Sequence, residues 1–176
     1  MKKIIIVGAG GHCKVVIDTI EEINKIEKTY EILGILDDNK EIKKVLNYPV
    51  LEEIKSLKHF DEDIAYHIAI GNNEVREKIY INNKNREFIR IKHPSSIVSK
   101  YAIIEIGSYM GAGVIINAGA YIGMGTLVNT GSIIEHDVHV GEFAHLSYKV
   151  IVGSNSKIKN KDFIDMGEII KRNIEI

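Results

Sequence analysis

Five glycines stand six residues apart: Gly107, Gly113, Gly119, Gly125 and Gly131. Neither an α-helix nor a flat strand has a period of six. A hexad repeat does fit a β-helix, where every six residues make one short face and one turn. Glycine suits such a turn because it takes positive φ at little cost. The residues just before these glycines are Ile106, Ala112, Ala118, Met124 and Thr130. Most are small or apolar, which fits an inward position between closely stacked coils.

After Gly131 the next Val-Gly pair is Val140-Gly141, ten residues on rather than six. On this reading four residues leave the coil as a loop around 135–139, and that loop carries Glu135, His136 and Asp137. The hexads resume at Gly141, Leu146-Ser147 and Val152-Gly153 and then decay. Residues 161–176 show no clear hexad and read as a final strand or short helix. The second segment, 93–176, is therefore expected to be a β-helix that is short at its C-terminal end.

The first segment, 1–92, has a different grammar. Ile4, Ile5, Ile6 and Val7 form an uninterrupted apolar run that ends in Gly8-Ala9-Gly10-Gly11. A run apolar on both faces fits a buried parallel strand. A helix is expected next, with Val15, Val16, Thr19, Ile20 and Ile23 on one side. Further strands are expected at 32–36, 64–70 and 88–91, with helices over 50–57 and 74–83. Strands alternating with helices imply βαβ units and a mostly parallel, Rossmann-like sheet.

The 23 basic and 24 acidic residues nearly cancel. No global field favours nucleic acid or an anionic membrane, and no basic patch is interleaved with aromatics. The single cysteine, Cys13, cannot form an internal disulfide or a multi-cysteine metal site. No metal is expected. No apolar stretch approaches the ~20 residues of a membrane span, and a cytoplasmic location is expected.

The motifs taken in order resemble one family. They are Gly8 to His12, Asp37-Asp38, Gly71-Asn72-Asn73 with Arg76, the hexads, Asn129-Thr130, Glu135-His136-Asp137, Gly141-Glu142-Phe143 and His145. This order is similar to the bacterial sugar acetyltransferases, which include UDP-4-amino-sugar N-acetyltransferases and sialic acid O-acetyltransferases. The resemblance implies a left-handed β-helix, a homotrimer and acetyl-CoA as donor, bound between neighbouring β-helices. It also implies a nucleotide-sugar at the carboxyl ends of the first domain's strands. The expected substrate residues are Gly10, Gly11, His12, Asp37, Asp38, Gly71, Asn72 and Asn73, joined by Asn129 and Glu135. His145, Gly153 and Ser154 are the expected residues on the acetyl-CoA side.

The chemistry these residues suit is acyl transfer. An attacking amine or hydroxyl must lose a proton, and a histidine, with an ordinary pKa of ~6.5, takes it near neutral pH. An adjacent carboxylate fixes the tautomer and stabilises the imidazolium. His136 is the expected base and Asp137 its orienting acid. The developing oxyanion needs a donor, for which the backbone N–H of Gly153 or Ser154 would serve. His139 reads as an ordinary surface residue. Other readings stay open: sugar O-acetylation, a non-catalytic sugar-nucleotide-binding protein, and a nicotinamide-dependent oxidoreductase. The last is weakened because Cys13 replaces the third glycine of the dinucleotide fingerprint. Asp37, Asp38 and Asn72 also have a plain alternative as turn residues.

Overall fold

The computed structural model describes residues 1–176 and divides into two compact units, Met1–Ile89 and Arg90–Ile176. In the first unit the strands are β1 (Lys2–Val7), β2 (Tyr30–Leu36), β3 (Lys44–Val45), β4 (Tyr48–Glu52), β5 (Ala65–Ile68) and β6 (Glu87–Phe88). The helices are α1 (Gly11–Ile26) and α2 (Asn73–Asn82). The sheet order is β3-β4-β2-β1-β5-β6. All neighbours run parallel except β3 and β4, which pair antiparallel.

β1 lies at the centre of this sheet, and Ile4 to Val7 are fully buried, as an apolar run on both faces requires. On α1 the buried stripe is Cys13, Val16, Ile17, Thr19 and Ile20, while Val15 faces solvent. The helix expected over 50–57 does not form. Val50, Leu51 and Glu52 belong to β4, and a short 3₁₀ helix (Ile54–His59) follows. Pairing with β3, Lys44 to Pro49 and Val45 to Tyr48, and with β2 on the other side draws this segment into the sheet instead.

The chain passes from β1 to β2 on one side, and β5 then joins β1 on the other. The strand order therefore reverses at β1, which is where open α/β sheets leave a crevice for ligands. Gly8, at φ 104°, lets the loop after β1 close on the loop after β5. A methyl there would overlap Ile70 and lie 3.1 Å from the Ala69 carbonyl oxygen.

The second unit is the left-handed β-helix. Its strands are two residues long, from Ile91–Lys92 to Ile169–Ile170, and stack as three parallel sheets. Tyr109 pairs with Leu127 and Leu127 with His145, so one coil takes eighteen residues, or three hexads. The first face holds Tyr109–Met110, Leu127–Val128 and His145–Leu146. The second holds Ile115–Ile116, Ile133–Ile134 and Ile151–Val152, and the third Tyr121–Ile122 and His139–Val140.

The inward positions are the second residue of each strand and the residue just after each turn. Met110, Ile116, Ile122, Val128, Ile134 and Val140 make the first ladder, and Ser108, Val114, Ala120, Thr126, Ser132 and Val138 the second. Each fully buried large aliphatic contributes on the order of 1.5–3 kcal/mol. The buried hydroxyls are satisfied by main-chain carbonyls, as Thr126 Oγ1 donates to the Gly141 oxygen at 2.7 Å and Ser132 Oγ to the Ser147 oxygen at 2.8 Å. The residues before the turn glycines, expected inward, lie instead on the outer side of the corners, and Ile106 is 43% exposed.

Two further expectations are corrected. There is no loop at 135–139, because strands follow one another every six residues through this region. Six residues beyond Gly131 is Asp137, which occupies the turn position at φ 59°. Phe143, Lys149, Asn155, Lys161 and Asn173 continue that position at positive φ, with Gly167 among them. Gly141 belongs to a different set. With Gly111, Gly123 and Gly153 it lies at a strand end where the next coil passes so close that a methyl would strike its backbone. Counting both sets as one produces the apparent ten-residue gap. For the same reason the hexads do not decay after Gly153. Phe163–Ile164 and Ile169–Ile170 continue the sheets in register.

Candidate active site

The second face turns into the third at residues 135–138, and this corner carries the expected base. Its backbone is pinned from both sides. The Asp137 N–H donates to the Ala118 oxygen of the coil before at 3.1 Å, and the Asn155 N–H of the coil after donates to the His136 oxygen at 3.3 Å. The His136 ring nitrogen Nδ1 lies 2.8 Å from Asp137 Oδ2, with both side chains more than half exposed. With Asp137 ionised, Nδ1 carries the proton and donates it to the carboxylate, which leaves Nε2 as the basic nitrogen.

The two acids beside His136 have separate jobs. Glu135 is half-buried and accepts a hydrogen bond from Asn117 Nδ2 at 3.1 Å. Asp137 is the one that engages the imidazole. One coil later, at the same corner, stand Gly153 and Ser154. The Gly153 N–H is already given to the Ile170 oxygen at 2.8 Å, so it does not serve as an oxyanion donor. Ser154 is the remaining candidate of that pair.

Asn129 and His145 form a second pair. Asn129 is buried, and its Nδ2 lies 2.7 Å from His145 Nε2. The amide donates and Nε2 accepts, which puts the His145 proton on Nδ1. The Phe163 ring stands edge-on to His145 with centroids 5.0 Å apart. Asn129 follows the first face and Glu135-His136 follow the second, so the two pairs occupy different corners of one chain. His139 stacks flat on Tyr121 of the coil before, at 4.6 Å, along the third face. It takes no part in either pair.

In the first unit the three expected segments come together at the carboxyl edge of β2, β1 and β5. Gly10 precedes α1, and Gly11 and His12 open it. A methyl on Gly10 or Gly11 would meet nothing within 4 Å, so the backbone at this helix start is open to an approaching group. Asp37 Oδ2 accepts from the Ala9 N–H at 2.6 Å and Oδ1 from the Asn39 N–H at 2.8 Å, tying the end of β2 to the glycine turn. Asp38 Oδ1 accepts from the Ile54 N–H at 2.9 Å. Asn72 caps α2, accepting from the Val75 N–H at 3.0 Å.

Arg76 holds the loop that contains Gly71 and Asn73. It is fully buried, and its guanidinium donates to the Ile70 oxygen at 2.8 Å, the Gly71 oxygen at 3.2 Å and Asn73 Oδ1 at 2.9 Å. Burial pulls its pKa down to about 10. Beside it His67 is fully buried on β5, with Nδ1 3.0 Å from the Ile89 oxygen. Burial first, and then the Arg76 charge, push His67 down to about 4. Burial and the Asp37 carboxylate raise the Cys13 thiol to about 12. Sequence reading misses the bracing roles of Arg76, His67 and Asn117. Only the three-residue spacing of Asn73 and Arg76 on one helix face signals any of them.

An α/β unit followed in the chain by a hexapeptide-repeat coil is an architecture with known counterparts. Residues 3–82 match the family model described as the PglD N-terminal domain. UDP-N-acetylbacillosamine N-acetyltransferase of Bacillus subtilis (strain 168) is 33% identical over 118 residues, 64% of this chain and 52% of that protein. The match thus spans about half the length of that curated relative. The acetyltransferase domain of PglB from Neisseria gonorrhoeae FA1090 superposes with a TM-score of 0.77 at 26% identity, covering 97% of both chains. Its complex with acetyl coenzyme A gives 0.73 at 27%, over 97% of this chain and 96% of that one. The chain is thus similar to bacterial sugar acetyltransferases in sequence and in fold. GDP-perosamine N-acetyl transferase from Caulobacter crescentus, in complex with CoA and GDP-perosamine, superposes at a TM-score of 0.79 and 25% identity, over 98% of this chain and 90% of that one. No helix of this chain is long and apolar enough to cross a membrane.

Proposed function

We propose that this chain transfers the acetyl group of acetyl-CoA to the amine of a UDP-linked 4-amino sugar. The observation that carries the reading is the 2.8 Å His136–Asp137 pair, exposed on a corner braced by coils on both sides. The relatives that bind acetyl-CoA or act on UDP-N-acetylbacillosamine support the choice of donor and acceptor.

The sugar amine attacks the thioester carbonyl, and a C–N bond forms as the carbonyl oxygen gains negative charge. His136 Nε2 takes the amine proton. Asp137 stabilises the resulting imidazolium through Nδ1. When the C–S bond breaks, that proton goes to the CoA thiolate, leaving an acetamido sugar and free CoA. The loops with Gly10, Gly11 and His12, with Asp37 and Asp38, and with Gly71, Asn72 and Asn73 are the proposed nucleotide-sugar site. Asn129 and Glu135, on the β-helix, are assigned to binding the sugar. His145 and Ser154 are assigned to the acetyl-CoA side, with Gly153 as the close-packed glycine beneath the neighbouring coil.

A homotrimer fits this division, since His136 and His145 occupy different corners of one chain and would meet between neighbours. An outward ladder of Ile97, Ile115, Ile133, Ile151 and Ile169 along the second face supplies an apolar surface for such packing.

The test is release of free CoA from acetyl-CoA with a UDP-linked 4-amino sugar, run beside a GDP-linked one and a sialic-acid-like hydroxyl acceptor. Turnover with the UDP-amine, lowered about 10²–10⁴-fold in His136→Ala, is the expected result. Binding of UDP-sugar without any CoA release would overturn it in favour of a binding protein. Turnover restricted to the hydroxyl acceptor would overturn the choice of amine.

A further inference from the structure

Asp137 can reach His136 only because of what is missing beneath it. Asp137 stacks directly after Gly119, one coil earlier. A methyl built on Gly119 would overlap Asp137 Oδ1 and lie 3.3 Å from its Cγ. The other carboxylate oxygen, Oδ2, is the one 2.8 Å from His136 Nδ1. One oxygen of the orienting acid therefore rests in the space a side chain would fill, while the other holds the imidazole. A methyl fixed to backbone cannot rotate away, so the carboxylate would have to move.

Backbone conformation alone does not account for this glycine. Asp137, Phe143, Lys149, Asn155, Lys161 and Asn173 all occupy the same turn position with φ between 54° and 63°. Among the other turn glycines, Gly125 leaves comparable room for the Phe143 ring, 2.5 Å from an added methyl, but the side chain it seats is not the partner of His136. At Gly113, φ 68° against 76° at Gly119, the nearest atom to an added methyl is the Gly131 Cα at 3.9 Å. Gly113 and Gly119 thus share a conformation and differ in what lies above them.

We propose that Gly119 is a positioning residue for acyl transfer, its empty side-chain space being the seat that holds the Asp137 carboxylate against His136. This rests on the reading of His136 as the base. The matched test compares Gly119→Ala with Gly113→Ala. Both add one methyl at positive φ and should shift Tm alike. Gly119→Ala should lower kcat about tenfold or more with KM for both substrates unchanged, while Gly113→Ala stays within about twofold of wild type. In an Asp137→Ala background, where the seat is vacant, Gly119→Ala should change kcat by less than about twofold. Gly119→Asn beside Gly113→Asn repeats the comparison with a residue that tolerates this backbone, should the alanine variant fail to fold.

A second readout does not depend on turnover. In ¹⁵N spectra of the imidazoles, the His136 Nδ1–H···carboxylate signature should be lost in Gly119→Ala and kept in Gly113→Ala. Equal kcat losses in the two variants, an undiminished loss in the Asp137→Ala background, or an unchanged His136 signature would each overturn the positioning role. If His136→Ala still abolishes turnover in that event, the proposed function survives. If the spectra behave as expected but the wild type transfers no acetyl group, the seat stands and the function falls.

Discussion

In the α/β unit each candidate site loop is held by a side chain: Asp37 on the Ala9 N–H, Asp38 on the Ile54 N–H, and Arg76 on the Ile70 and Gly71 carbonyls. In the β-helix the corner with His136 is held by main-chain bonds to the coils on either side, and the neighbouring corners repeat that pattern. The first arrangement fuses support and site, so a substitution there disturbs both. The second separates them, and a side chain on a corner can change while the corner stays. Residues of the second kind report on chemistry; residues of the first report on folding and chemistry together.

Arg76→Met is the strongest way to break this contrast. It leaves the Ile70 and Gly71 carbonyls without their buried donor, and a loss of about 2–6 kcal/mol in urea unfolding is expected, with loss of nucleotide-sugar binding. If stability held while binding vanished, Arg76 would belong with the separable residues. Acid comes next. The folded pKa of His67, about 4, lies below its unfolded value of ~6.5, so the folded state prefers the neutral ring. Its contribution is fully present above pH ~6.5 and is lost as pH falls toward 4, amounting to about 3 kcal/mol. Unfolding midpoints at pH 7 and 4.5 should differ by less in His67→Gln than in wild type. The smallest effect is expected in the β-helix. Lys149 sits at φ 57°, and Lys149→Gly should relieve strain and stabilise by up to about 1 kcal/mol without touching turnover. A destabilised Lys149→Gly would mean that corner depends on its side chain after all.

The architecture is legible in the sequence because both units write their periods plainly. Ile4 to Val7 announce a buried strand, and five glycines announce the hexad. The α2 cap at Asn72 and the His136–Asp137 pair are also readable, since neighbours in sequence must be neighbours in space. The coil after Gly131 is obscured because glycine is a symptom of the turn rather than its requirement. Asp137 and Lys149 meet the same backbone demand at a modest strain. Contacts that join residues far apart in number leave no mark. Asn117 reaches Glu135 across eighteen residues, and Asn129 reaches His145 across sixteen. Each becomes visible only when the coil length is known.

That coil length carries a consequence for how the chain tolerates changes in its own length. Eighteen residues return the backbone to the same corner, one layer along the axis. Removal or duplication of eighteen residues beyond Ser154 would leave every remaining side chain on its original face. An insertion of six before Glu135 keeps inward residues inward, yet carries His136 and everything after it round by a third of a turn. The fold would accept such an edit, while the corner that pairs Gly119 with Asp137 would no longer exist. In this molecule packing is counted in sixes and chemistry in eighteens.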